Sequence, residues 1–339
     1  MMDHKRLYQQ FDNLKNKDRQ EGIPVVNLPW KKHKLGVSIE NYPKFFIYTP
    51  DRKASAPNIV LKTLAVEYNI SCTFKEDDTS DAEEGNRYTI ITLMSDDRAL
   101  QLQFIDVVIM ILERLGEAPS KQAIAVEMEN LISIFAKLRH APKKTIQGLW
   151  AELLVIETSD QPTEMIHAWH SDPASKYDFT KGKDKIEVKS TSAEVRKHTM
   201  SVDQLNPSDN SRLLIASAIV RESGPAADAL SVDDLRDRIC QRVEDTQARM
   251  HLYAVIAATI GTDVSKLKNI YFDYVGGRDS LRFYDHTVVP AVKKEDVGKG
   301  VSEVKFVSDF TDLPDIHETQ PPYPLHESSL FSLLKHPDA

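Results

Sequence analysis

Lys176-Tyr177-Asp178-Phe179-Thr180-Lys181-Gly182-Lys183-Asp184-Lys185-Ile186-Glu187-Val188-Lys189-Ser190 is the stretch on which the reading of this chain turns. Lys176 to Thr180 and Lys185 to Ser190 read as two strands of a hairpin closed around Lys181-Gly182-Lys183-Asp184. Strand alternation puts the Asp178 carboxylate on one face and the Tyr177 and Phe179 rings on the other. On the second strand Glu187 and Lys189 share a face, while Ile186 and Val188 point the opposite way. Pairing the strands brings Asp178 beside Glu187 and Lys189. Two carboxylates beside one lysine form a demanding arrangement unless a cation sits between the carboxylates. Mg²⁺ suits such a site, being a hard cation that takes oxygen ligands and keeps waters that a substrate phosphate can replace. Lys189 could then orient an attacking water or stabilise developing charge. The competing reading is an exposed strand face carrying a surface salt bridge.

The surroundings of the hairpin weigh on that choice. Upstream, Pro142 marks a start, and Thr145 to Glu157 places Ile146, Leu149, Trp150, Leu153 and Leu154 on one helical stripe. Glu152 falls at the edge of that stripe, and Gly148 beside it leaves room for close approach. Met165 to Trp169 reads as a strand. A short strand near His198 to Val202 and a buried one from Leu213 to Val220 follow the hairpin. An acid-x-Lys triplet arises by composition about once per hundred residues. The chain has four: Asp3/Lys5, Asp51/Lys53, Glu187/Lys189 and Glu303/Lys305. Asp51 follows Pro50 in what reads as a turn. Glu303/Lys305 reads as a strand, with Asp296 upstream but no strand to carry that acid. The 178/187/189 set alone has a helix before it, a buried strand after it and all its members on predicted strands.

These residues resemble the PD-(D/E)XK nuclease superfamily, the fold of many restriction endonucleases. More narrowly they resemble a bacterial branch of unknown function linked to phage-defence gene clusters. The similarity is carried by Gly148-Leu149-Trp150-Ala151-Glu152-Leu153-Leu154, Ala168-Trp169, Tyr177-Asp178-Phe179 and Ile186-Glu187-Val188-Lys189-Ser190-Thr191, then by Arg196, His198, Ser201 and Gln204-Leu205. Tyr177 stands where the superfamily name has proline. The resemblance implies metal binding at Asp178 and Glu187, Lys189 as the catalytic lysine, and a supporting carboxylate from Glu152. It implies Mg²⁺, with Mn²⁺ able to substitute, and DNA as substrate. Gln204, Ser190, Thr191, His198 and Arg196 become candidate substrate contacts. Gln204 could equally cap the following segment, and His198 could be a solvated histidine. Other defence-system proteins and a second copy of the chain are the partners this resemblance suggests. The alternative function is a nuclease-shaped module that binds DNA or protein without cutting.

The expected fold is α/β, α+β overall, with a restriction endonuclease-like core whose mixed central sheet is flanked by helices. Residues 1–140 form an N-terminal α+β region, 141–225 the core, and 226–339 a C-terminal α/β extension. In the first region, residues 1 to about 43 read as irregular. Phe45 to Tyr48, Leu61 to Phe74 and Tyr88 to Leu93 read as strands, and helices follow from Ser95 to Leu115 and Ser120 to Leu138. In the last, Ser231 and Asp234 open a helix with a capping-box pattern, and Gln247 to Ile260 forms another. Strands near Leu281 to Val289 and Val304 to Val307 precede a tail from Asp312 with five prolines, expected to lie over the surface or to be partly disordered.

Composition narrows the function classes. Hydrophobic residues at 41% and charged residues at 28% describe an ordinary globular protein. The balance of 43 Lys and Arg against 51 Asp and Glu, net −8, confines any nucleic-acid contact to a local patch. Lys176, Lys181, Lys183, Lys185, Arg196 and Lys197 cluster around the hairpin, and Lys137, Arg139, Lys143 and Lys144 could extend that patch. Cys72 and Cys240 are too far apart for a zinc motif and fit a reducing cytoplasm. His167 and His170, with Asp172 close by, suggest a metal site, but three apart on a strand the two histidines face opposite sides, which speaks against ligation there. No stretch is long and apolar enough to span a membrane, and no phosphate-binding loop, dinucleotide fingerprint or serine-hydrolase elbow is present.

Overall fold

The computed structural model describes residues 4–17, 22–50, 57–74, 85–137, 144–170, 175–208, 210–261, 264, 266–318 and 323–334. The chain divides into two compact units, 1–139 and 140–339. Pro142, Arg139, Lys143, Asp51/Lys53, Asp172 and most of the acidic stretch after Phe74 lie outside the described residues.

In the first unit α1 (His4–Lys15) precedes β1 (Val25–Asn27), β2 (Lys34–Val37), β3 (Pro43–Tyr48), β4 (Ile59–Val60), β5 (Leu64–Cys72) and β6 (Asn86–Leu93). Among the described residues these strands form an antiparallel sheet in the order β1-β2-β3-β6-β5-β4. The expectation of irregular chain before residue 43 is corrected here. Only Leu7, Phe11 and Leu14 of α1 are buried, at i, i+4 and i+7, so a stripe of three in a polar segment supports the helix. Two helices follow, α2 (Arg98–Leu115) and α3 (Lys121–Lys137). Asp97, not Ser95, caps α2, accepting the Leu100 amide at 3.0 Å. Gly116, at φ 66°, ends it. Phe45 and Phe135 both meet Phe104 edge-on, at 5.7 and 5.6 Å between ring centroids, on the buried side of the sheet.

The second unit holds α4 (Ile146–Thr158), α5 (Pro162–Ala168), β7 (Phe179–Lys181), β8 (Asp184–Thr191), β9 (Lys197–Ser201), α6 (Val202–Leu205) and β10 (Arg212–Ile219). After these come β11 (Glu222–Ser223), β12 (Ala229–Ser231), α7 (Val232–Arg242), α8 (Thr246–Ile260), α9 (Lys266–Asn269), β13 (Tyr271–Asp273), α10 (Tyr274–Asp279), β14 (Arg282–Asp285) and β15 (Lys305–Asp309). The central sheet runs β14-β10-β8-β7 and is mixed: β8 and β10 are parallel, and the outer pairs are antiparallel. This is the α+β architecture expected of the fold.

Three expectations are corrected. Met165 to Trp169 is helical as α5, because Pro162 supplies a first-turn start and Met165, Ile166 and Ala168 pack inward; only Trp169 makes a bridge, to Phe179. Position 225 is not a boundary, since β14 is hydrogen-bonded to β10 and β15 to β9, so 226–339 completes the sheets of the core. The tail is not all surface either: Ile316, Leu330, Phe331 and Leu333 are buried, and the Ser328 hydroxyl donates to Asp184 at 2.6 Å. No helix among the described residues is long and apolar enough to cross a membrane.

Candidate functional site

The hairpin is closed by Gly182 and Lys183 between the paired residues Lys181 and Asp184. Gly182 takes φ 59°, as a two-residue loop needs at its first position. Asp178 falls in a bend just before β7 rather than on the strand. It still reaches β8, because its Oδ2 accepts the Val188 amide at 2.8 Å. Glu187 stands mid-strand and is 4% exposed. Its Oε1 accepts from Lys189 Nζ at 2.8 Å and from Gln204 Nε2 at 2.6 Å. Its Oε2 is buried and has no partner among the described residues.

Glu152 arrives from α4, whose first turn is fixed by Thr145 Oγ1 accepting the Gly148 amide at 3.0 Å. The helix packs on β8 and buries Leu149, Trp150, Leu153 and Leu154, which carries Glu152 to the cleft wall. Trp169 Nε1 donates to Glu152 Oε2 at 2.8 Å, and Lys144 Nζ donates to Glu152 Oε1 at 2.6 Å. The same ammonium donates to Asp178 Oδ1, so Lys144 stands between the two acids. Lys144 belongs to the local basic surplus, but neither it nor Trp169 was marked as a site residue by the sequence. The signal for Trp169 was its place in the Ala168-Trp169 match; for Lys144 there was only its position one residue before the helix cap.

Gln204 caps α6 and also reaches Glu187. It is the third residue of a capping box in which Ser201 Oγ accepts the Gln204 amide and Gln204 Oε1 accepts the Ser201 amide, each at 3.1 Å. With the oxygen committed to the cap, the amide nitrogen is aimed at Glu187. Ser190 lines the same cleft of about 670 Å³. Thr191 lies past it, its carbonyl accepting the Val220 amide at 2.7 Å. Arg196 turns inward instead of toward a ligand: Nη1 donates to the Ser217 carbonyl and hydroxyl at 2.9 Å each, and Nη2 to the Ser280 carbonyl. His198 is 3% exposed, hydrogen-bonded to Ser217 Oγ at 2.8 Å and edge-on to Phe310. Burial, then the charges of Lys189 and Arg196, push its pKa down to about 4, so it lines the cleft as a neutral ring. His167 pairs with Asp245 at 3.3 Å, away from these acids.

The electrostatics of the acids follow from burial. Glu187 is pushed up to about 8 by burial and then by the Asp178 charge, which together outweigh Lys189 and Lys144. Glu152 is pushed up to about 7 by the same two causes, against Lys144 and the Trp169 hydrogen bond. Burial works against the Lys144 ammonium, but Glu152 and Asp178 more than offset it and hold its pKa above the ordinary lysine value. Among the described residues no three His, Cys, Asp or Glu side chains already close around one point. The donor set nonetheless fits a hard divalent cation. Three carboxylates line one cleft, two of them held at raised pKa by burial and by the Asp178 charge, and one carboxylate oxygen is orphaned.

A family model described as "Putative PD-(D/E)XK family member, (DUF4420)" matches residues 9–311. No curated protein and no solved structure matches the chain.

Proposed function

We propose, on the premise that the chain belongs to the DUF4420 family of PD-(D/E)XK proteins, that it is a metal-dependent phosphodiesterase cleaving DNA in the cleft between α4 and the β7–β8 hairpin. One observation carries the proposal: Glu187 is buried with a raised pKa and an unpartnered Oε2, in a cleft it shares with Asp178, Glu152 and Lys189. A buried, half-satisfied carboxylate is costly, and this one stands in a cleft with two further carboxylates and a lysine.

Asp178, Glu187 and Glu152 would hold Mg²⁺, which Mn²⁺ can replace. A cation there supplies Lewis-acid polarisation of the phosphodiester and a water acidic enough to attack at neutral pH. Lys189, on the same strand face as Glu187 and half-buried, presents an ammonium that can orient that water or meet the charge developing on phosphate. Gln204 fixes the Glu187 rotamer from one side, and Trp169 fixes that of Glu152 from the other. A role in restriction or phage defence is part of the same proposal, through the DNA substrate.

Calorimetric titration of Mn²⁺ into the wild type and into an Asp178→Ala/Glu187→Ala variant, with a plasmid-nicking assay beside it, tests the assignment. Wild type should bind Mn²⁺ and nick. The variant should remain folded and lose both, with cleavage falling by about 10²-fold or more, since several kcal/mol of charge stabilisation disappear. Unchanged nicking by the variant sinks the assignment. A second reading has its own support in Lys144, whose ammonium already neutralises Glu152 and Asp178 as a non-catalytic site would require. Plasmid binding without Mn²⁺ uptake or nicking would select that binding module instead.

A further inference from the structure

β9 and β15 form a two-stranded antiparallel ribbon beside the cleft, with Lys305 opposite Ser201, Val307 opposite Thr199 and Asp309 opposite Lys197. Its inner face is buried: Met200 and Phe306 pack with Tyr177, Leu213 and Phe310, and beside them His198 and Ser308 are buried with hydrogen-bond partners. The outer face carries Lys197, Thr199 and Ser201 on one strand and Lys305, Val307 and Asp309 on the other. Asp309 answers Lys197 at 3.8 Å at the far end. Lys305, at the other end, is exposed and has no ion pair among the described residues.

A recess of about 400 Å³ opens at the Lys305 end. Lys176, Lys189 and Lys305 line it together with the hydroxyls of Ser175, Thr199 and Ser201; the remaining lining residues are Gln204 and Met200, and no carboxylate is among them. In a chain with eight more acids than bases, an acid-free recess with three lysines is unexpected by composition. Ser175, Lys176, Lys189, Thr199 and Gln204 also line the larger cleft, so the two spaces adjoin. The lysine that carries the most weight, Lys305, comes from β15, outside the hairpin and outside every motif of the candidate centre. Lys189 is paired with Glu187 at 2.8 Å, and Lys176 Nζ donates to the Asn206 carbonyl at 3.0 Å. Lys305 therefore brings the ammonium that no acid answers among the described residues, beside three hydroxyl side chains, and the recess suits an anion.

We infer that this recess is a second phosphate subsite, which holds a backbone phosphate of a nucleic-acid strand while a neighbouring phosphodiester lies at Asp178 and Glu187. The inference rests on the phosphodiesterase reading and adds to it the path of the strand, across the β9–β15 ribbon, with a phosphate held at the Lys305 end. Both DNA and RNA carry the phosphate that the recess reads, so both serve as probes.

The experiment measures anisotropy of fluorescein-labelled DNA and RNA strands of matched sequence across a salt series. Wild type, Lys305→Gln, Lys176→Gln and a control, Lys62→Gln in the first unit, are compared in Mg²⁺-free buffer. Hydrolysis of bis(p-nitrophenyl) phosphate, which has a single phosphate, is followed in parallel with Mn²⁺ present. Loss of one phosphate contact should flatten the slope of log affinity against log salt by about one for Lys305→Gln and for Lys176→Gln, and leave Lys62→Gln on the wild-type line. Lys305→Gln should hydrolyse the small diester as wild type does. Slopes and affinities equal to wild type in both recess variants overturn the subsite, as does a wild type that binds neither strand. Flattened slopes in a wild type that hydrolyses nothing uphold the subsite and remove the catalytic reading instead. Flattening with one strand alone identifies which of the two the ribbon carries.

Discussion

Two acids on β8, three residues apart, are both buried, yet they are opposites. Asp184, at the hairpin end, is 1% exposed and fully spent: Oδ1 accepts from Arg212 Nε at 2.5 Å and Oδ2 from the Ser328 hydroxyl at 2.6 Å. Arg212 in turn lies over the Tyr323 ring, and Tyr323 donates to Asp285 at 2.6 Å. That network fastens the C-terminal segment to the sheet. Glu187 is buried almost as deeply, but one oxygen is bare and its pKa is raised. Burial of a charge therefore does not mark a functional site in this molecule. What sets Glu187 apart is an unsatisfied oxygen in a cleft shared with two further carboxylates, and the comparison can be attacked from either side.

The largest effect belongs to the satisfied acid. Asp184→Ala leaves Arg212 and the Ser328 hydroxyl without their partner, and breaking such a buried pair costs about 3 kcal/mol. Chemical denaturation should show that loss, while Mn²⁺ binding per folded molecule stays at the wild-type value. A variant of unchanged stability would mean that the Asp184 network holds nothing together. Next come the residues that position the candidate ligands. Gln204→Ala and Trp169→Phe each remove one hydrogen bond to a carboxylate, from Glu187 and Glu152 respectively. Outer-shell losses of this kind weaken metal affinity about 10- to 100-fold. Calorimetry that finds wild-type affinity in both would detach those contacts from the site.

The unequal legibility of the two acids in sequence has the same physical origin. Glu187 was readable because its chemistry is local: an acid two positions from a lysine on one strand, opposite another acid across a hairpin. Lys185 to Ser190 and Leu213 to Val220 were readable as strands for the same reason, period-two or continuous apolarity. Asp184 was read as part of a turn, because its partners Arg212 and Ser328 are 28 and 144 residues away. Met165 to Trp169 was read as a strand because a short apolar run fits both periods, and Pro162 decided for the helix. Glu303 shows the limit of the motif itself. It lies at φ 56° in the loop before β15, so its acid-x-Lys spacing never becomes a shared strand face. Lys144 was visible only as a basic residue before a helix, and no local pattern reveals that it lies between Glu152 and Asp178.

Lys144 supplies the third test. Its ammonium occupies oxygens that a divalent cation would need, so Lys144→Met should strengthen Mn²⁺ binding about tenfold, the equivalent of one charged hydrogen bond given up. The metal-free variant should melt lower, because Glu152 and Asp178 then face each other unscreened. Weaker Mn²⁺ binding would instead make Lys144 a partner of the site rather than its competitor.

The smallest effect isolates Glu187 by its proton. In the folded, metal-free protein it holds that proton to about pH 8, whereas an unfolded chain releases it near 4.5. Between those values the unfolded state binds fewer protons, so stability falls as pH rises through the window. The sign is the reverse of a salt-bridged acid, whose contribution is lost as pH falls. Glu187→Gln removes this titration and keeps the shape of the side chain. Measured with chelator present, the melting temperature of the variant should therefore gain on that of wild type as pH rises from about 5 to about 8. Asp184→Asn instead breaks the pair with Arg212 and should lower the melting temperature. If the Glu187→Gln advantage were the same at both ends of the range, Glu187 would already be ionised when folded, and the contrast between the two acids would reduce to a difference in hydrogen-bond count.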